Sequence, residues 1–294
     1  MYWGITFGVI SALLMSGSYV FSRSYLHLHH DPVKLAVFSQ MNIFPWGVAL
    51  LIYSLLFMEI PMNSRFFLYL LGECTLFLVA QTSFFMALKR LEATRASSLL
   101  GLKILALAFM SLLLGEELNA MRWIAILLCT LGAVGMNFSG GKMSFTTILW
   151  LASAVIFYAL CDICITGMVQ MMPGKSMMMN SVCVMGFTYT GIGLLVMPGM
   201  LKYKPALKEF KDSFWYSVFY FVSILFLMAC FGLLGVVFGS IIQAGRGIFS
   251  ILLGMILLQI GFEKNEPAVP LRMWARRICM SVMMITAMVL YTLN

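Results

Sequence analysis

The chain has 294 residues, of which 62% are hydrophobic and only 10% charged, against about 25% charged in a soluble domain. No polar stretch is long enough to build a soluble domain, so the composition is that of an integral membrane protein. The net charge of +8 comes mostly from Lys and Arg in short loops. There they set orientation across a bilayer and imply no nucleic-acid partner.

Apolar runs separated by charge, Pro or Gly predict an all-α integral membrane fold of ten transmembrane helices. The first run, 2–22, has no basic leader and no small-residue cleavage site, so it reads as a permanent span. Runs at 34–57, 66–88, 94–114 and 119–138 complete a first half. The second half has runs at 146–171, 177–200, 214–234, 237–261 and 273–293. The break at 234–237 carries no charge and is marked only by Gly232, Gly235 and Gly239.

The loops between these runs are simple. His27, His29 and His30 sit beside Asp31-Pro32 and read as a solvated loop rather than a metal tract. Lys202, Lys204, Lys208 and Lys211, with Glu209 and Asp212, form an amphipathic basic segment suited to anionic lipid headgroups. The seven cysteines lie mostly within spans and have no metal-ligand spacing. No metal and no cofactor are expected.

Fourteen loop Lys and Arg fall on one side of the ten-helix plan, and three (Arg65, Arg122 and Lys175) on the other. The positive-inside rule puts the rich side in the cytoplasm of a bacterial cell and both termini outside its cytoplasmic membrane.

The two halves echo each other. Lys103 and Arg246 are 143 positions apart, as are Ser97 and Ser240, and Glu116 and Gln259. Ser11-Ala12-Leu13-Leu14 matches Ser153-Ala154-Val155-Ile156 at an offset of 142. Residues 1–143 and 144–294 therefore read as two five-helix repeats, and an odd number of spans per copy makes them inverted.

Polar residues inside the spans form stripes at helical spacing. Gly239, Gln243, Arg246 and Ser250 form one, Tyr158, Asp162 and Thr166 a second, and Tyr216, Tyr220 and Ser223 a third. The third span contributes Glu73 and Gln81, the second Gln40 and Asn42 before Pro45, and the seventh Asn180. An ionisable residue within a membrane is costly and marks function by default. Arg246 and Lys103 are the expected anchors for an anionic group of a small-molecule substrate, with Tyr158 and Tyr220 on the substrate body and Gln243 either a hydrogen-bonding neighbour or, equally well, a helix-to-helix tie. Asp162 is expected to take an ammonium, bind a coupling proton or brace a cation, and Glu73 is a second coupling candidate. The competing expectation is a structural Asp162–Arg246 ion pair, with Lys103 packed between helices by its apolar neighbours Leu99, Leu100, Leu107 and Met110.

Glu92-Ala93-Thr94-Arg95-Ala96-Ser97-Ser98-Leu99-Leu100, then Leu113-Leu114-Gly115-Glu116-Glu117-Leu118, then Gly132-Ala133-Val134-Gly135, resembles the signature of EamA-type transporters of the drug/metabolite transporter superfamily. The resemblance implies a bundle of two five-helix halves around a central cavity that works by alternating access; a monomer or a homodimer is expected. The second half departs from the pattern, with Leu258-Gln259-Ile260-Gly261-Phe262-Glu263 in place of the Leu-Gly-Glu step. The orientation departs too, since relatives are drawn with both termini in the cytoplasm.

These readings converge on a secondary transporter of a small metabolite bearing an anionic group: an amino acid, carboxylate, sugar phosphate or nucleotide. The alternatives are an exporter of lipophilic cations or drugs, which Lys103 and Arg246 oppose by repulsion, and a lipid-phosphate translocase. The chain has no paired catalytic carboxylates, no nucleophile beside a base and no ATP-binding loop, so it is not read as an enzyme.

Overall fold

The computed structural model describes residues 2–61, 63–91, 95–96, 99–113, 115, 118–137, 143–174, 176–204, 206–246, 249, 252–253 and 271–292. They are helical, with no strand among them. In chain order they form α1 (Tyr2–His29), α2 (Pro32–Phe57), α3 (Ser64–Leu88), a 3₁₀ turn Leu100–Leu102 leading into α4 (Lys103–Leu113), α5 (Ala120–Asn137), α6 (Phe145–Met171) and α7 (Met177–Tyr203). The short α8 (Leu207–Asp212) precedes α9 (Phe214–Leu234), α10 (Val236–Ala244) and α11 (Leu271–Thr292).

Six of these units are long and apolar enough to cross a membrane: α1, α2, α3, α6, α7 and the run α8–α9. Apolar helices at 100–113, 120–135 and 282–291 are shorter. The repeat residues Ser97, Glu116 and Gln259, the stripe residue Ser250 and the loop cations Lys142, Lys175 and Lys264 lie outside the described residues.

Local chemistry sets the helix starts. Asp31 Oδ1 accepts from the backbone N–H groups of Val33 and Lys34 at 3.1 and 3.0 Å, with Pro32 in the first turn of α2. Asn63 caps α3 through Phe66 N–H at 2.7 Å. Gly235 adopts a positive φ of 79° between α9 and α10, so the uncharged break is a real turn that a side chain would strain. α1 runs further than the first apolar run, through Arg23 to His29.

α3 packs most extensively on α6, α1 on α9, α2 on α7, and α5 on α11. The facing surfaces are made of small residues. Ser11, Ser16, Ser18, Ser39, Ser83, Ser217 and Ser223 are all buried. Several bond a carbonyl on the preceding turn, such as Ser18 to Met15 O at 2.7 Å and Ser39 to Ala36 O at 3.2 Å, so their hydroxyls are satisfied without water. Others join helices: Ser11 Oγ lies 3.1 Å from Ser223 Oγ, and Ser83 Oγ 3.1 Å from Ser153 Oγ. The outward faces carry exposed Leu56, Phe57, Leu68, Leu71 and Leu195. Such a surface is stable against acyl chains and not against water.

α2 and α7 cross with backbone close to backbone. A Cβ built on Gly186 would lie 2.6 Å from Leu51 N and 2.8 Å from Leu51 Cα. Backbone cannot move aside as a side-chain end can. Gly186→Ala is therefore expected to lower the thermal unfolding midpoint in detergent, at a cost of about 1–3 kcal/mol. An unchanged midpoint would contradict this packing.

Basic loops gather at one end of the bundle. Arg23 donates to Leu88 O at 2.9 Å, Lys34 pairs with Glu209 at 3.2 Å, and His29 Nε2 lies 2.8 Å from Asp212 Oδ2. These contacts bring together the end of α1, the start of α2, the end of α3 and α8.

Candidate functional site: a buried charged cavity

Among the described residues, two acidic and two basic side chains from four parts of the chain line one cavity in the core of the bundle: Glu73, Asp162, Lys103 and Arg246. Each is at most 5% exposed. The cavity measures about 30 Å³. That is room for a water or two and far too little for a metabolite.

Lys103 reaches the cavity because its helix enters by a tight turn. A Cβ on Gly101 would lie 3.0 Å from Ala133 Cβ and 3.7 Å from Ala244 Cβ, so glycine lets this turn press between α5 and α10. Lys103, the next residue but one, opens α4. Its Nζ donates to Asp162 Oδ2 at 2.5 Å and sits 5.7 Å from the centre of the Phe231 ring. Asp162 lies inside α6, one turn after Tyr158, and both face the cavity.

Arg246 follows the end of α10 through a turn at Gly245. Ser16 Oγ on α1 donates to the Arg246 carbonyl at 2.8 Å, which fixes the backbone there. The guanidinium donates from Nη1 to Tyr19 OH at 3.3 Å, with its carbon 5.6 Å from the Tyr19 ring centre.

Glu73, Phe77 and Gln81 make a stripe on α3 at successive turns. Glu73 is 2% exposed, and among the described residues its Oε2 has no hydrogen-bond partner. Phe77 is the hub of an aromatic wall, with ring centres 6.3 Å from Tyr158, 6.4 Å from Tyr189 and 6.1 Å from Tyr220. Gln81 braces this wall: Tyr158 OH donates to its Oε1 at 2.6 Å, and its Nε2 donates to Tyr216 OH. The cavity thus has charged groups in its middle and an aromatic side built from α3, α6, α7 and α9.

Of the residues singled out in the sequence, Arg246, Lys103, Asp162, Tyr158, Tyr220 and Glu73 are brought together here. Gln243 is not among the lining residues. Its Nε2 donates to Ser11 Oγ at 2.5 Å, a helix-to-helix tie to α1. The carboxylate of Asp162 is paired with Lys103, where the sequence had offered Arg246 as its structural partner. Lys103 accordingly faces the cavity despite its apolar neighbours. Tyr19, Phe77 and Tyr189 line the site and were not singled out. One signal pointed to Tyr19: it stands 143 positions before Asp162, the spacing that relates Lys103 to Arg246.

A solved structure titled "Crystal structure of protein" matches 99% of this chain and 96% of its own at a TM-score of 0.66 and 17% identity, a likeness of fold. No curated protein matches the chain. The family model described as the EamA-like transporter family matches residues 2–138. That family is one of membrane transporters and not of enzymes, and residues 2–138, just under half of the chain, are similar to it.

Proposed function

We propose that the chain is a secondary active transporter for a small metabolite with an anionic group, working by alternating access of two inverted five-helix repeats, 1–143 and 144–294. The observation that carries this reading is the joining of Lys103 and Arg246, buried within the bundle, in one small cavity. A cation at that depth is retained where it meets substrate or a partner.

Support for the inverted repeat comes from paired contacts. An offset near 142 exchanges α1 with α6 and α3 with α9. It turns the packing of α3 on α6 into that of α1 on α9. It turns the Ser83–Ser153 bond into the Ser11–Ser223 bond. It turns Lys103–Asp162 into Arg246–Tyr19. Gly101 and Ala244, also 143 apart, approach each other directly, as residues on the axis between two such halves would. The four shorter helical elements then count as the fourth, fifth, ninth and tenth spans. The clustered basic loops face the cytoplasm, with both termini outside.

In this reading Arg246, whose forked guanidinium matches a carboxylate or phosphate, is the anchor for the substrate anion, Lys103–Asp162 is the brace beside it, and Tyr158, Tyr189 and Tyr220 bound the substrate body. The cavity's size supports alternating access. A cavity of about 30 Å³ admits no metabolite until one half rocks away from the other.

Glu73 completes the charge balance. When Glu73 is ionised the cavity has two positive and two negative groups. When it carries a proton there are two positive and one negative, and a monoanion restores neutrality. Glu73 is the group that couples a proton to the anion. Isothermal titration in buffers of different ionisation enthalpy tests this. Anion binding to the wild type is expected to take up close to one proton, and binding to Glu73→Gln none. Equal proton uptake by both proteins would remove Glu73 from the coupling step.

The aromatic wall beside an acidic group also fits a lipophilic cation. That second reading predicts that hydrophobic cations, and not anions, stabilise the protein, and that Glu73→Gln abolishes the effect.

A further inference from the structure

A second site lies outside the transport cavity, on the outer face between α2 and α9. There an apolar groove of about 260 Å³ is lined by Ile43, Trp46, Phe214, Val218, Phe221 and Val222, with Asn42 at its mouth. Asn42 Nδ2 donates to Phe210 O at 3.2 Å and to Ser213 Oγ at 2.8 Å, so the mouth is fastened to the junction of α8 and α9. From Phe214 to Val222 the groove descends eight residues of helix, about 12 Å, most of the ~15 Å of one leaflet's hydrocarbon.

α8 ends at this mouth, and its charges are sorted by side. Glu209 and Asp212 turn inward to Lys34 and His29. Lys208 and Lys211, the alternate pair at the same spacing, are exposed. The acids are thus engaged within the protein, Glu209 by Lys34 and Asp212 by a hydrogen bond with His29, while the lysines face outward. Lys211 stands one turn before Phe214, the first wall of the groove. Trp46 and Trp215, each 55% exposed, flank the site, as amphipathic rings do at a headgroup boundary.

We infer that α2, α8 and α9 form a seat for an anionic phospholipid, with an acyl chain in the Trp46–Phe214–Val222 groove and the phosphate on Lys208 and Lys211. A zwitterionic lipid would fill the groove equally well but would gain less from the lysines. The site is independent of the substrate reading above.

The test is native mass spectrometry of the full chain in detergent, equilibrated with equal amounts of phosphatidylglycerol and phosphatidylcholine with identical acyl chains. Two lysines at a headgroup are expected to favour the anionic lipid by about tenfold or more. The double variant Lys208→Gln/Lys211→Gln, both exposed positions, is expected to even out that preference. Val218→Trp, which fills the groove, is expected to weaken retention of both lipids, and Lys202→Gln is expected to leave the preference intact. Equal retention of the two lipids by the wild type overturns the proposal. So does a preference that survives in the double variant, or displacement of the anionic lipid by glycerol phosphate at equal concentration, because a bare anion patch makes no use of the groove.

Discussion

Arg246→Gln is expected to abolish recognition of anionic metabolites while leaving the protein folded. Glutamine keeps a donor near Tyr19 OH but removes the charge and the fork that would meet a carboxylate or phosphate. Losing one partner of a buried charge pair costs about 2–5 kcal/mol, a loss of affinity of roughly thirtyfold or more. The measurement is thermal stabilisation by a metabolite panel, in which a ligand raises the midpoint with the logarithm of its concentration over Kd. Arg246→Lys should retain part of the effect, since it restores the charge without the fork. Tyr19→Asp is the sharper variant. It keeps Arg246 but sets a carboxylate against its guanidinium, and it is expected to suppress anion binding as strongly as removing the cation. A metabolite that stabilises wild type, Arg246→Gln and Tyr19→Asp equally would overturn the anchor role.

The bundle was legible in the sequence because lipid and protein interior ask for the same apolar side chains, so every span appears as a long apolar run. Helix length marked α2, α3, α6, α7 and α9 to within a few residues. The same uniformity hid which face of each helix turns inward. Faces had to be read from the few polar positions, which was enough for Asp162 and Tyr158 at adjacent turns and for Glu73. It left two readings open for Gln243, because a glutamine that ties two helices looks in sequence like one that lines a cavity. Phe77 and Tyr189 were invisible for a related reason: an aromatic wall of a cavity and an aromatic facing lipid share one composition. The partner of Asp162 was a question of distance between α4 and α6, and no spacing along the chain encodes that distance. Tyr19 was recoverable, but only by applying the repeat offset to the acid as well as to the cations.

The Lys103–Asp162 pair is expected to act as one unit in stability. The two side chains are 7% and 6% exposed and joined at 2.5 Å. Desolvating each ion is costly, and their mutual attraction offsets that cost only while both are present. Lys103→Met leaves a carboxylate with its nearest cation gone, and Asp162→Asn leaves an ammonium with its acceptor weakened, so each single change should cost about 3–5 kcal/mol. The double variant should cost much less than the two together, because no buried charge of the pair is left unmatched. Thermal unfolding of the four proteins in one detergent gives the comparison, and strict additivity would show that the two residues do not depend on each other. The same set separates structure from transport. If the pair is the brace beside Arg246, the double variant regains stability without regaining substrate affinity, because the guanidinium then stands next to an uncharged wall that no longer holds its position. Recovery of both together would place the pair outside the binding step.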